Sequence, residues 1–422
     1  MTDEERVEVY HALLERSNNG KLLKNSTREV SGLLDVPLQT VQNIWKRAKN
    51  TGYGEVVDVS HRRKGKCGRK KKQIDWLKVV DIPLHRRTTI RSLAAALGMS
   101  PTVVFRSLKE GQLRRHSNAI KPLIKEDNKK TRVKFCLSML NKNALPHQPK
   151  FVDMYNVVHI DEKWFYMTKK TQTYYLLPSE EDPLRTCQSK NYISKVMFLA
   201  AMARPRYDGE GNETFSGKIG IFPFVTLQKA QRRSCNREAG TMELKPMVSI
   251  KREDIKHFLI EKVLPRIYER WPAEDFGKTI FIQQDNAKTH VTVNDEEFQV
   301  AALQHGLDIQ LMCQPPNSPD LNIFDLGYFR AIQALQHHVC PKTVEDLVTA
   351  VEEAYDEYPP NLVNRVFLTL QSCMIEIMKI GGGNNYKIPH LKKDTLEREG
   401  LLPVQMDCDP NLVEEAMNYV AC

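Results

Sequence analysis

Three aspartates stand at the ends of apolar runs or at the start of a helix. Asp161 is the last residue of "NVVHID", and Asp285 is the last residue of "KTIFIQQD". Asp325 ends "QPPNSPDLNIFD", where a loop leads into a helix. We predict that Asn322 caps this helix and that Asp325 lies in its first turn. Adjacent strands of an α/β sheet present their carboxyl ends to a common ligand-binding crevice. We therefore expect the three carboxylates to converge, where they repel one another and resist ionising together.

A hard divalent cation relieves such repulsion. Oxygen-only ligands favour Mg²⁺ or Mn²⁺ over zinc, and two ions roughly 3.5–4 Å apart can clamp the attacking and leaving oxygens of a phosphodiester. The sequence thus predicts Asp161, Asp285 and Asp325 as metal ligands and catalytic residues. A single aspartate after a strand is more often a turn residue or a helix cap, so the prediction depends on the set of three.

Neighbouring polar residues have two interpretations each. Glu162 either assists the electrostatics or, as we expect, faces solvent at the strand end. His290 either contacts a phosphate or serves as a packed or capping histidine. The run "HHVC" (337–340) has no partner pair of ligands, and zinc normally needs four; no zinc site is predicted there.

The aspartates lie in a region whose pattern is that of a mixed sheet. Early consecutive strands are followed by alternating helices and strands, which favours an α/β sheet with flanking helices. Strands are predicted at 156–161, 163–167, 195–203, 218–225, 278–285 and 307–313. Helices are predicted at 252–271, 294–305 and 322–338.

The N-terminal third is basic and helical. Residues 1–150 hold 32 Lys and Arg against 14 Asp and Glu, a net charge of +18, whereas residues 151–422 have a net charge of −8. Two helix pairs, at 26–50 and 88–110, are each broken by a short turn, the helix-turn-helix arrangement that places its second helix in the major groove of DNA. In the second pair we predict DNA contacts from Thr102, Arg106 and Lys109.

A basic segment joins the two helix pairs. "HRRKGKCGRKKK" (61–72) contains eight Lys and Arg and no large apolar residue, so it cannot form a core. It either follows DNA phosphates or is only a solvated linker, and it also matches a nuclear localisation signal. The predicted DNA-contacting residues here are Arg62, Arg63, Lys64, Arg69, Lys70, Lys71 and Lys72.

Length and composition limit the class of protein. At 422 residues the chain is expected to form two or three domains. The sequence contains no uninterrupted run of eighteen apolar residues, so no membrane span is predicted. The acidic, amphipathic start does not match a secretory signal. The nine cysteines are scattered without a C-x-x-C pair, which favours a reducing intracellular compartment.

Three blocks resemble one known family. "HIDEKWF", "QQDNAKTH" and "QPPNSPDLNIFD" closely resemble the catalytic blocks of mariner-type DNA transposases of the Tc/mariner superfamily, matching over about residues 156–340. Asp161, Asp285 and Asp325 match the first, second and third aspartates of the family's Asp-Asp-Asp triad. Thirty-nine residues separate the last two, which resembles the plant mariner-like branch, and Asp325 stands where the Tc-type branch has glutamate.

The resemblance implies a fold and an activity. It implies an α/β ribonuclease-H-like catalytic domain (a mixed sheet with flanking helices) preceded by all-α helix-turn-helix units. The implied activity is that of a nuclear cut-and-paste transposase that uses two Mg²⁺ or Mn²⁺ ions. It implies that a homodimer binds terminal inverted repeats and joins them to TA-containing target DNA. "AIKPLI" (119–124) only loosely resembles the family's linker motif.

The implied domains follow the chain in order. They are a helix-turn-helix unit at 1–60, a basic linker at 61–75, a second helix-turn-helix unit at 76–120, an interdomain helix and linker at 121–150, the catalytic domain at 151–345 and a C-terminal helical extension at 346–422. The alternative function is a domesticated, transposase-derived DNA-binding protein that does not cleave DNA.

Overall fold

The protein folds as two compact units, Met1–Asn118 and Ala119–Cys422. The computed structural model describes residues 1–51, 56–61, 74–117, 121–145, 147–171, 175–181, 183–184, 186, 193–233, 237–304 and 306–421. Within these ranges, none of the helices has the length and apolar character needed to cross a lipid bilayer.

The first unit begins with three helices around a small core. They are α1 (Asp3–Glu15), α2 (Ser26–Leu33) and α3 (Leu38–Lys49), with the short strands β1 (Ser17–Asn18) and β2 (Lys21–Leu22) between the first two. Thr2 and Glu5 form a capping box that satisfies free N–H groups at the start of α1. The buried core is Val9, Leu13, Val30, Val41, Ile44 and Val59. The helix pair predicted at 26–50 is confirmed.

A second helix pair follows in the same unit. Helices α4 (Ile90–Ala96) and α5 (Pro101–Lys109) come after two 3-10 turns, Trp76–Val79 and Leu84–Arg87. Gly98 ends α4 with a φ of 64°, a conformation that glycine adopts without steric cost. Pro101 occupies the first turn of α5, where its missing N–H is not needed. The predicted pair at 88–110 is therefore confirmed.

The second unit is built on a five-stranded mixed sheet in the order β11-β10-β3-β4-β7. Strands β3, β4 and β7 are antiparallel neighbours, whereas β10 runs parallel to both β3 and β11. Two small two-stranded sheets, β5–β6 and β8–β9, accompany it. The strands of this unit are β3 (Val157–Tyr166), β4 (Lys195–Ala203), β5 (Arg206–Tyr207), β6 (Glu213–Phe215), β7 (Lys218–Pro223), β8 (Val225–Lys229), β9 (Met242–Pro246), β10 (Ile280–Gln284) and β11 (Ile309–Cys313).

Two strand predictions need correction. The runs at 156–161 and 163–167 form one continuous strand, β3, because its whole length pairs with β4. Asp161 therefore lies in mid-strand and does not end a strand as predicted. The run at 218–225 ends at Pro223, and Val225 already belongs to the hairpin of β8 and β9.

Helices cover both faces of the sheet. The alternation along β4 sends Phe198, Ala200 and Met202 into one buried core and Leu199 and Ala201 into the other. The helices of this unit are α6 (Glu126–Ser138), α7 (Arg252–Phe258), α8 (Leu264–Arg270), α9 (Glu296–Gln304), α10 (Phe329–Gln336), α11 (Val344–Glu357), α12 (Pro360–Lys379), α13 (Lys393–Arg398) and α14 (Pro410–Ala421).

Short helical turns complete this unit. A π-helical turn, Leu259–Val263, joins α7 to α8, so the helix predicted at 252–271 is continuous. A second π-helical turn, Phe324–Tyr328, leads into α10. The 3-10 turns are Lys142–Ala144, Ala273–Asp275 and Pro319–Leu321.

The C-terminal helices belong to the core of the sheet unit. Residues of α11, α12 and α14 share one buried cluster with α6, α10 and strands β3 and β4. The boundary predicted between residues 345 and 346 falls inside α11. It does not coincide with a break between compact units, because Ala119–Cys422 forms one such unit.

Candidate active site

Strand register places Asp161 beside Asp285. Strands β3 and β10 pair in parallel, and the last aligned residues are His159 and Gln283. Two residues further along each strand lie Asp161 and Asp285. The two aspartates are thus lateral neighbours at the point where β10 ends and β3 continues.

Asp161 is largely enclosed by protein. One carboxylate oxygen accepts the Glu162 backbone N–H at 2.8 Å, and the other accepts the Asn322 side-chain amide at 3.1 Å. Burial raises the pKa of Asp161 well above its usual range, and the charges of Asp325, Glu162 and Asp285 raise it further. An ionised Asp161 therefore requires a positive charge nearby.

Asp325 approaches from the loop after β11. Asn322 is buried, and its side-chain oxygen accepts the Phe324 backbone N–H at 3.0 Å, which confirms its predicted capping role. This turn sets Asp325 in the first turn of the following helix, as predicted. Partial desolvation raises the pKa of Asp325; Lys163 lowers it and the charge of Asp285 raises it.

A buried histidine holds Asp285. The Nδ1 atom of His290 lies 2.8 Å from Oδ1 of Asp285, and its Nε2 atom lies 3.0 Å from Oε2 of Glu162. The bond from His290, with the N–H that Ala287 donates at 2.8 Å, keeps the pKa of Asp285 below its usual range although burial opposes this.

The same contacts set the charge of His290. Burial lowers the pKa of His290, but the hydrogen bonds and charges of Asp285 and Glu162 outweigh it and raise the pKa to about 11. Both ring nitrogens therefore carry protons at neutral pH. The result is a buried cation between two carboxylates.

Glu162 is not the solvent-facing residue that we predicted. Its side chain is only 12% exposed, and it lies in mid-strand against His290. Neighbouring strand residues point to opposite faces, so Glu162 faces away from the side on which Asp161 meets Asn322. The interpretation of His290 as a packed histidine is confirmed, since its side chain is 3% exposed.

The donor chemistry fits a hard cation. Among the described residues, no group of three or more His, Cys, Asp or Glu side chains is arranged as it stands to hold a metal ion. The carboxylate oxygens of Asp161 and Asp285 instead face protein N–H donors. However, Asp161, Asp285 and Asp325 interact through their negative charges, and a divalent cation bound beside them would offset that repulsion.

Lys163 is a functional candidate that sequence reasoning missed. It stands two residues after Asp161 on β3, so it points to the same face, and its charge acts on Asp325. Its Nζ atom lies 5.8 Å from the centre of the Phe329 ring. The i, i+2 spacing of an aspartate and a lysine was the available signal.

The predicted DNA-contacting residues lie in the first unit. Thr102, Arg106 and Lys109 are exposed on α5, and the Lys109 ammonium lies 5.1 Å from the centre of the Phe105 ring. The basic residues of the linker lie outside the described residues: Arg62, Arg63, Lys64, Arg69, Lys70, Lys71 and Lys72.

Comparisons with known proteins bear on the fold. Residues 1–54 match a family model described as a domain of unknown function, DUF7769. No curated protein matches the chain significantly.

Solved structures of Mos1 resemble nearly the whole chain. The pre-cleavage Mos1 transpososome is 15% identical with a TM-score of 0.52, over 91% of this chain and 98% of that one. The Mos1 mariner paired end complex with Mn is 15% identical with a TM-score of 0.51, over 92% and 99%. The corresponding complex with Mg is 15% identical with a TM-score of 0.50, over 92% and 99%.

These likenesses settle the fold class. The predicted arrangement, helical units followed by a mixed sheet with flanking helices, is shared with the Mos1 structures over more than nine-tenths of this chain. The predicted fold class, a ribonuclease-H-like α/β domain preceded by helix-turn-helix units, is confirmed.

Proposed function

We propose that this chain is a mariner-like, metal-dependent DNA transposase. The observation that carries the proposal is the strand register that sets Asp161 beside Asp285, together with Asn322, which binds Asp161 and starts the turn that holds Asp325. Asp161, Asp285 and Asp325 match the three aspartates of the family's triad in order. The shared fold with the Mos1 complexes supports the same conclusion.

The proposed reactions are hydrolysis and strand transfer. Water cleaves a phosphodiester at an element end, which leaves a 3′ hydroxyl on one side and a 5′ phosphate on the other. The 3′ hydroxyl then attacks a phosphodiester of target DNA, joins the element end to the 5′ phosphate of the target and displaces the target's 3′ hydroxyl. Bound Mg²⁺ or Mn²⁺, held by the three aspartates, would supply positive charge and activate the attacking oxygen.

The chain's own residues prepare this site. His290 fixes one oxygen of Asp285, and the Asn322 amide orients Asp161. Lys163 adds a positive charge on the face of Asp161 and beside Asp325, where it can attract a phosphate.

The remaining features of the proposal follow the family resemblance. We propose two ions, a homodimer that pairs two terminal inverted repeats, TA-containing targets and a nuclear location. The spacing of thirty-nine residues between Asp285 and Asp325 supports the plant mariner-like branch. Neighbours solved as paired end complexes with Mn and with Mg are consistent with DNA and divalent-metal use.

The Asp285→Asn variant tests the chemistry. The substitution keeps the shape but removes one ligand charge, and an amide is a poorer ligand for a hard cation. We expect Mn²⁺ affinity and nicking of end-sequence DNA to be lost, while a gel shift on the same DNA is unchanged. Asp308→Asn is the matched control, because Asp308 is exposed next to the amino end of β11, away from the site.

The outcomes separate two functions. Nicking that persists in Asp285→Asn places the chemistry elsewhere and contradicts the triad. Wild-type protein that binds end-sequence DNA but nicks none, with either metal, instead indicates a transposase-derived DNA-binding protein without cleavage.

A further inference from the structure

A β-hairpin follows β7 at the end of the sheet that carries the aspartates. Strands β8 and β9 pair over their full length, from Val225–Pro246 to Lys229–Met242. We call its described residues, 225–233 and 237–246, the basic hairpin. Phe224 anchors its base, because its N–H donates to the Met197 carbonyl at 2.8 Å and its carbonyl accepts the Met247 N–H at 2.9 Å.

The register gives the position of this base along the strands, and β7, which it follows, lies two strands to the side of β3. Asp161 aligns with Ala200 on β4, and Met197 aligns with Trp164, three residues further along β3. At about 3.3 Å per residue, the base lies about 10 Å beyond the row of Asp161. It therefore leaves the same end of the sheet that carries the aspartates.

The basic hairpin is positive within an acidic part of the chain. It contains five Lys and Arg and two Glu, a net charge of +3, whereas residues 151–422 have a net charge of −8. Lys229, Arg232 and Arg233 are exposed. The ion pair of Arg233 with Glu238 is 3.2 Å long between side chains that are each more than 70% exposed, and exposed pairs of this kind are weak enough to exchange for a phosphate.

Its two faces differ in chemistry. One face carries polar side chains: Thr226, Gln228, Glu243 and Lys245. The other face carries Leu227, Lys229, Met242 and Leu244. The Leu244 N–H donates to Glu345 of α11 at 3.1 Å, which holds the hairpin against that helix. On the polar face Thr226, Gln228 and Lys245 are exposed, and Lys245 pairs with Glu243 at 2.7 Å.

We propose that the basic hairpin binds duplex DNA that extends past the aspartate site. A two-stranded ribbon fits the major groove, and hydroxyl, amide and ammonium groups are the side chains that contact base edges there. Arg232 and Arg233, which follow β8, contact the phosphates, and the polar face lies in the groove. This inference rests on the proposed function, since it takes DNA as the substrate of the site.

Salt dependence of DNA binding tests the phosphate contacts. The full chain carrying Arg232→Ala and Arg233→Ala is compared with wild type and with a control carrying Lys142→Ala and Lys387→Ala, which removes the same charge elsewhere. Each lost phosphate contact lowers the slope of log affinity against log salt by about 0.9. Raising the salt from 50 to 200 mM should therefore weaken DNA binding by wild type about 12-fold more than binding by the hairpin variant, and the control should behave like wild type.

Cross-linking tests the placement of the polar face. Gln228→Cys in the full chain is mixed with long duplexes carrying a disulfide-activated base at successive positions. We expect a covalent adduct with bases on one side of the cleavage point. Gln310→Cys is the control, because Gln310 is exposed on β11 at the opposite edge of the sheet, and it should form none.

The results distinguish this inference from the proposed function. A hairpin variant with wild-type salt dependence and no Gln228→Cys adduct overturns the inference, even if wild type nicks DNA. An altered slope with a position-specific adduct supports it, even if wild type nicks no DNA. Unchanged melting temperatures in both double variants exclude unfolding as the cause.

Discussion

At the scale of single residues, the two carboxylates around the buried His290 define the chemistry of the site. The imidazole is almost inaccessible to water, yet its pKa is raised to about 11 because each ring nitrogen meets a carboxylate. The imidazolium neutralises Glu162, which therefore does not compete with Asp161 for a cation. It also leaves one oxygen of Asp285 free for other contacts.

His290→Gln tests this charge by its pH dependence. A pKa raised from about 6.5 in the unfolded chain to about 11 in the folded one stabilises the fold fully below pH 6.5, and this stability is lost as pH rises towards 11. We expect the melting temperature of wild type to fall more steeply between pH 7 and 10 than that of His290→Gln. At pH 6 the variant should be less stable by about 3 kcal/mol, because Glu162 loses its buried partner.

The control for this comparison is internal. Lysines, tyrosines and cysteines titrate in the same pH range in both proteins, so the difference between the two curves isolates His290. Parallel curves would show that the histidine is neutral in the folded protein.

At the scale of elements, one buried arginine ties three segments together. Arg132 of α6 is fully buried and donates to both carboxylate oxygens of Asp320 at 2.7 Å. It also donates to the Gly382 carbonyl at 2.8 Å, and the Tyr386 hydroxyl donates to Asp320 at 2.6 Å. The turn Pro319–Leu321 that leads to Asn322 and Asp325 is thereby fixed to α6 and to the loop after α12.

A double-mutant cycle measures the interaction energy between Arg132 and Asp320. Arg132→Met leaves Asp320 without its buried cation, and we expect a loss of about 3–5 kcal/mol in the free energy of unfolding. The double variant, Arg132→Met with Asp320→Asn, should lose less free energy of unfolding than the sum of the two single losses, by more than about 1 kcal/mol. Urea titration provides the measurement, and additive losses would mean that the two groups do not act as a pair.

The glycine loop offers a second test at this scale. A Cβ at Gly382 would lie 2.2 Å from the Lys129 carbonyl oxygen, and its φ is 84°. A Cβ at Gly381 would meet nothing closer than 3.8 Å, although its φ of 59° is also left-handed. Gly381→Ala should therefore cost about 1 kcal/mol from the backbone alone, and Gly382→Ala should cost clearly more. Equal losses in urea titrations would contradict the close approach to α6.

At the scale of the whole molecule, the two compact units differ in net charge. Residues 1–118 hold 24 Lys and Arg against 12 acidic residues, a net charge of +12, while residues 119–422 have a net charge of −2. The first unit has its own buried core. We therefore assign the main electrostatic attraction for DNA to the first unit.

Residues 1–118 expressed alone should bind duplex DNA. Affinity should fall steeply with salt, because each neutralised phosphate releases counterions. Arg106→Ala with Lys109→Ala should lower the salt slope by about 1.8. Lys21→Ala with Lys24→Ala, which changes exposed residues outside both helix pairs, is the control. Binding that does not depend on salt would contradict the assignment.

The sequence predicted elements better than it predicted the contacts between them. Both helix pairs and β4 follow directly from apolar spacing and from breakers such as Gly98. The continuity of β3 was missed because the polar residues Asp161 and Glu162 interrupt its apolar pattern, whereas pairing with β4 carries the strand through them. The contact between Glu162 and His290 joins residues that are 128 positions apart, and no local pattern reports it.

The packing of α14 against α6 has a consequence for synthesis. These helices begin at residues 410 and 126 and share one buried cluster. At about 5–20 residues per second, a ribosome takes on the order of 15–60 s to travel between them, and for that time the part of the α6 surface that α14 covers stays exposed. A reading frame interrupted shortly before α14 would still encode all three aspartates, yet its product would have an incomplete core.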